Sequence, residues 1–70
     1  MSNIQYYNFE REFISAIMNG EPEAVRGALA GMVKHSDNAR FVTDLFARLV
    51  DNSDPASKFR SELEMVKPLS

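Results

Sequence analysis

The apolar residues of this 70-residue chain recur at helical spacing and cover more helix surface than a small bundle needs for its core. In the first helical segment, Phe9, Phe13 and Ile17 share one side, and further apolar residues widen the arc to about 200°. Those on the widened side are Tyr7, Ile14 and Met18. A bundle core needs a stripe about half as wide. The surplus predicts that this helix contacts a second subunit as well as its own core.

The third segment carries a similar surplus, arranged as two neighbouring columns at i, i+4 spacing. One column is Phe41, Leu45 and Leu49, and the other is Val42, Phe46 and Val50. Both columns could fill the space between helices of one chain, or one of them could lie between subunits. We favour the second interpretation and place Phe46 in the predicted interface.

Capping residues, glycine and proline divide the chain into four predicted helical segments. They run from about 4 or 8 to 18, from 21 to 34 or 35, from within 36–38 to 50, and from 55 to 66. Asn19-Gly20 favours a left-handed helix end, and Pro22 and Pro55 suit first-turn positions. No stretch alternates as a strand does, and no linker is long enough to divide domains. The prediction is therefore an all-α fold: one domain over residues 1–70, built as a bundle of three to four short helices that dimerises through its surplus apolar face.

Two glycines, Gly27 and Gly31, lie four residues apart inside the second segment. Each costs about 1 kcal/mol relative to alanine in a helix interior, which suggests that something packs against bare backbone there. We place both in the predicted interface, with close helix approach either within the subunit or across a two-fold axis. The alternative ends the helix near Ala30, with Gly31 as its C-cap.

Composition excludes several ways of stabilising so short a chain. There is no cysteine for disulfides or zinc thiolates, and a single histidine cannot build an imidazole metal site. Carboxylate-only binding of a hard cation stays formally open, but we predict no metal and no cofactor. A domain of about 60 residues buries only about 60% of its unfolded surface, so oligomerisation is the expected stabiliser.

Charge and hydropathy limit the compartment and the kinds of partner that we expect. The longest uncharged stretch, residues 1–9, is far shorter than the roughly 18 residues of a membrane span, and residues 1–7 lack the pattern of a signal peptide. We therefore expect a cytoplasmic protein with no membrane partner. A formal net charge of -2 makes nucleic acid an unfavourable bulk partner.

No group of residues indicates catalysis. Three glutamate pairs have i, i+2 spacing, which puts their side chains about 200° apart on a helix, too far to share a substrate. They are Glu10 and Glu12, Glu21 and Glu23, and Glu62 and Glu64. His35 has no cysteine or assured serine partner. We predict that the protein is not an enzyme and has no catalytic residues.

Two functional classes remain as expectations. The favoured one is a small helical protein-interaction module that acts as a homo-oligomeric adaptor or regulator and could also bind a larger host or partner protein, of the kind found among phage or mobile-element accessory proteins. The alternative is a helix-turn-helix regulator that binds nucleic acid, with Asn38 and Arg40 at the start of the reading helix. Asp37 and Asp44 would then face phosphates, which argues against it.

Overall fold

The computed structural model describes residues 3–69 of the chain, and within them it contains five α-helices, one final 3₁₀ turn and no strand. The helices are α1 (Ile4–Asn19), α2 (Pro22–His35), α3 (Ala39–Asn52), α4 (Asp54–Ser57) and α5 (Arg60–Val66), followed by the turn Lys67–Leu69. The prediction of a small all-α bundle is confirmed. The extreme ends of the predicted 1–70 domain lie outside the described residues.

Local capping chemistry sets the helix boundaries. The side-chain oxygens of Asn3 and Asn38 each accept a hydrogen bond from a first-turn backbone N–H, at 3.1 Å in both cases, and so begin α1 and α3. Gly20 has a left-handed φ of 71°, which lets the N–H groups of Gly20 and Glu21 reach back to carbonyls of the last turn of α1. The first three segments therefore follow the prediction, except that α3 continues to Asn52.

The fourth predicted segment is two helices instead of one. α4 is a single turn that ends at Ser57, and α5 begins at Arg60. The Ser57 hydroxyl donates to the Asp54 carbonyl at 2.9 Å, a local bond of the kind that competes with helix continuation. Phe59, at the junction, is buried with α5 against the rest of the bundle.

The core lies where α1, α3 and the α4–α5 segment close around α2. Its largest fully buried side chains are Phe46, Phe59, Leu29, Leu63, Val25, Val50 and Val66. Phe46 is only 1% exposed and meets Phe13 edge to face, with ring centroids 5.0 Å apart. Its assignment to the predicted interface is therefore corrected: Phe46 belongs to the column of α3 that packs inside the chain.

The two glycines of α2 differ in surroundings. Gly31 is buried mid-helix, and a Cβ built there would lie 2.4 Å from the ring of Phe9 on α1. This is close approach within one subunit, so Gly31 is neither a C-cap nor open to a neighbour. A Cβ on Gly27 would meet nothing within 4 Å. The close packing predicted at Gly27 is wrong within this chain, because that side of α2 faces open space.

Candidate interaction surface

One side of α1 presents a row of large apolar side chains that the core does not use. The row consists of Ile4, Tyr7, Ile14 and Met18, which are 57–72% exposed. Their spacing of three, seven and four residues keeps them on one flank of the helix, and Arg11 interrupts the row. Tyr7, Ile14 and Met18 are the three α1 residues that the sequence placed at the interface, and the structure leaves all three uncovered within the chain.

A second exposed row runs along α3. Phe41, Leu45 and Leu49 are 59%, 42% and 39% exposed and follow each other at i, i+4 spacing. The sequence named the wrong column of α3. The available signal was the charged row Arg40, Asp44 and Arg48: at about 100° per residue, Phe46 lies nearly opposite that row and must be the inner column.

The two rows meet at one end of the molecule. Tyr7 of α1 and Phe41 of α3 line the same surface depression, together with the capping residues Asn3 and Asn38. Both helices therefore start at the same end of the bundle, and from there both apolar rows extend toward the other end. We call the combined surface of Ile4, Tyr7, Ile14, Met18, Phe41, Leu45 and Leu49 the α1–α3 face.

The area of the α1–α3 face is large for so small a chain. At about 200 Å² for a fully exposed large apolar side chain, these exposed fractions amount to about 800 Å². The largest apolar patch on a typical monomer is about 300–600 Å². One side of a standard-size protein–protein interface is about 800 Å².

Charges of both signs border the α1–α3 face. Arg11 lies within the α1 row, with Glu10 beside it, and Asp44 and Arg48 are exposed on α3. The described ion pairs lie elsewhere: Arg60 contacts Asp51 at 2.7 Å, and Lys67 contacts Glu64 at 3.5 Å. The border carries no excess of one sign that would prevent two copies from approaching each other.

The depression at the shared end combines aromatic rings with polar groups. Its lining is Asn3, Tyr6, Tyr7, Ser36, Asp37, Asn38 and Phe41. The rings of Tyr6 and Tyr7 stand at 82° with centroids 5.7 Å apart. Burial, followed by the nearby Glu10 carboxylate and by Tyr7, raises the pKa of Tyr6 above its ordinary value of 10.0.

His35, the only histidine, is not among the residues that line the depression. His35 ends α2 and stacks on Phe9, with centroids 5.7 Å apart and ring planes 13° apart. Among residues 3–69, no cluster of three or more histidine, cysteine, aspartate or glutamate side chains is placed to hold a metal ion. In the same part of the chain, no helix has the length and apolar character needed to cross a bilayer.

No protein-family model, curated protein or solved structure matches this chain. Over residues 3–69, the structure defines an all-α bundle of five short helices with exposed apolar rows on α1 and α3.

Proposed function

We propose that this protein functions by binding other polypeptides and that it self-associates as a homodimer through the α1–α3 face. It would serve in the cytoplasm as a small adaptor or regulator. The observation that carries the proposal is that two rows of large apolar side chains on α1 and α3, seven residues that are 39–72% exposed, are left uncovered by the chain and meet at the depression lined by Tyr7 and Phe41.

The area argues for a second copy as the occupant. About 800 Å² of apolar side chain per subunit equals the contribution of each partner to a standard-size interface. Burying it at about 25 cal/mol per Å² is a large driving force before the costs of association are counted. A chain of this length also gains more from an added interface than a larger domain does.

The border of the face suits a two-fold arrangement. In an isologous dimer each patch meets its own copy, so a surface with both signs of charge can pair cations of one subunit with carboxylates of the other. Arg11 and Arg48 are the available cations, and Glu10 and Asp44 the available carboxylates. We place these pairs at the rim, where they orient the subunits and add little affinity.

The proposal is tested by placing a charge in the apolar row and another outside it. Ile14→Glu buries a carboxylate in the dimer interface and should give a folded monomer. Gln5→Glu adds the same charge at an exposed position about 180° around α1 from Ile14, outside the row, and should stay dimeric. Mass is measured by light scattering and folding by circular dichroism. A fully helical Ile14→Glu protein that remains dimeric would show that the α1 row is not the interface.

The helix-turn-helix alternative makes a different prediction. If α2 and α3 read nucleic acid, duplex DNA should be retained at submicromolar protein with a steep dependence on salt. On the dimer proposal there is no specific retention at physiological salt, because Arg40 and Arg48 alternate with Asp37 and Asp44 along the α2–α3 loop and the exposed side of α3.

A further inference from the structure

We propose that the depression between the start of α1 and the α2–α3 loop binds the guanidinium group of an arginine side chain supplied by a partner polypeptide. Three aromatic residues, Tyr6, Tyr7 and Phe41, and the acidic residue Asp37 line this one depression. Aromatic faces attract cations through the ring quadrupole, and a carboxylate adds direct charge pairing.

The arrangement of the rings suits a planar cation. Tyr6 and Tyr7 meet edge to face, with ring planes at 82°. Phe41 contributes a third aromatic residue, which is 59% exposed. A guanidinium group stacks on aromatic faces and forms two parallel hydrogen bonds with a carboxylate, which a lysine ammonium cannot do.

The carboxylate of Asp37 is available for this pairing. Among the described residues it has no hydrogen bond or ion pair, whereas its polar neighbours are occupied. Asn3 caps α1 and donates to the His35 carbonyl, Asn38 caps α3, and the Ser36 hydroxyl accepts from the Asn38 N–H. These bonds hold the walls in place, so the site is formed before a ligand arrives.

Charge and size both favour one cationic side chain. No lysine or arginine lines the depression, and the Glu10 carboxylate lies near enough to Tyr6 to influence its ionisation. The whole chain carries a formal net charge of -2. The volume is about 270 Å³, slightly below the roughly 300–1,000 Å³ of pockets that hold complete small molecules.

This inference does not depend on self-association, although Tyr7 and Phe41 also belong to the α1–α3 face. A dimer that covers the depression would compete with the ligand. The binding experiment is therefore carried out on the wild-type chain and on the Ile14→Glu variant, so that failure of the dimer and failure of the arginine site give different results.

The probe is an arginine capped at both ends, and its neutral isostere, capped citrulline, is the matched ligand. Binding is followed through the backbone amide resonances of the ¹⁵N-labelled full chain. We expect saturable shifts centred on Tyr6, Tyr7, Asp37 and Phe41, with a dissociation constant on the order of millimolar for a ligand of about a dozen atoms. Citrulline should bind about tenfold more weakly, because it keeps the shape of arginine without the charge.

Asp37→Asn is the informative variant and Asp44→Asn its control, since each removes one exposed carboxylate from the loop–α3 region. Asp37→Asn should weaken arginine binding about threefold or more, and Asp44→Asn should leave it unchanged. Binding by Ile14→Glu but not by the wild type supports the site and shows that the face is covered. Equal binding of arginine and citrulline, equal effects of the two variants, or absence of localised shifts in both proteins would overturn the proposal.

Discussion

The ring of Phe9 lies over the bare backbone of Gly31, so close that a Cβ on that glycine would be 2.4 Å from the ring carbon Cδ1. Phe9 also stacks on the ring of His35, at a centroid distance of 5.7 Å. Gly31 therefore allows α1 to approach the second half of α2, and Phe9 cannot move aside without losing its stacking partner.

Substituting the two glycines of α2 by alanine should give opposite results. Gly31→Ala should lower the melting temperature, because overpacking costs about 1–3 kcal/mol and exceeds the helix-propensity gain of about 1 kcal/mol. Gly27→Ala should raise it, since that position is open and alanine restricts the unfolded chain. Thermal melts by circular dichroism measure both. A gain at Gly31 equal to that at Gly27 would contradict the packing described.

Replacing phenylalanine by leucine in each of the two columns of α3 should distinguish the buried column from the exposed one. Phe46→Leu should cost about 1–2 kcal/mol, because the side chain is 1% exposed and its edge contact with Phe13 is lost. Phe41→Leu should leave the stability of the isolated subunit nearly unchanged, because the ring is 59% exposed. Both variants are unfolded with denaturant in an Ile14→Glu background, so that dimerisation does not contribute to the measured free energy of unfolding. Equal losses would mean that the columns are wrongly assigned.

The raised pKa of Tyr6 predicts a loss of stability at high pH. The native state holds the phenolic proton more tightly than the unfolded state, so the stabilising effect is complete below about pH 10 and is lost as pH rises through the native pKa. In a Tyr7→Phe variant Tyr6 is the only tyrosine, and its ionisation is followed by ultraviolet absorbance. The native midpoint should lie above the midpoint in denaturant. Identical midpoints would show that neither burial nor Glu10 acts on this hydroxyl.

The helical spacing of the apolar residues and the capping residues between them were sufficient to predict the fold class. Asn38, Gly20 and Pro22 mark helix boundaries through local hydrogen bonding and backbone conformation, which sequence reports directly. The break between α4 and α5 was missed, because the apolar residues keep a regular helical spacing through it while the backbone tightens locally, with the Phe59 N–H bonded to the Ala56 carbonyl at 3.0 Å.

The candidate surface was only half predictable. Tyr7, Ile14 and Met18 could be identified because the arc of α1 is too wide for one core. The columns of α3 have similar hydrophobicity, and the one sequence signal that separates them is the charged row nearly opposite Phe46, which the prediction did not use. Gly27 and Gly31 are likewise identical as a motif, and only the position of Phe9 distinguishes them.

Sedimentation equilibrium of the wild-type chain over a micromolar concentration series tests the central claim most directly. Self-association through the α1–α3 face predicts a mass approaching twice the 7.9 kDa of one chain, with Leu45→Glu reducing it to one chain while helix content is kept. A wild-type mass of 7.9 kDa throughout the series would contradict the account.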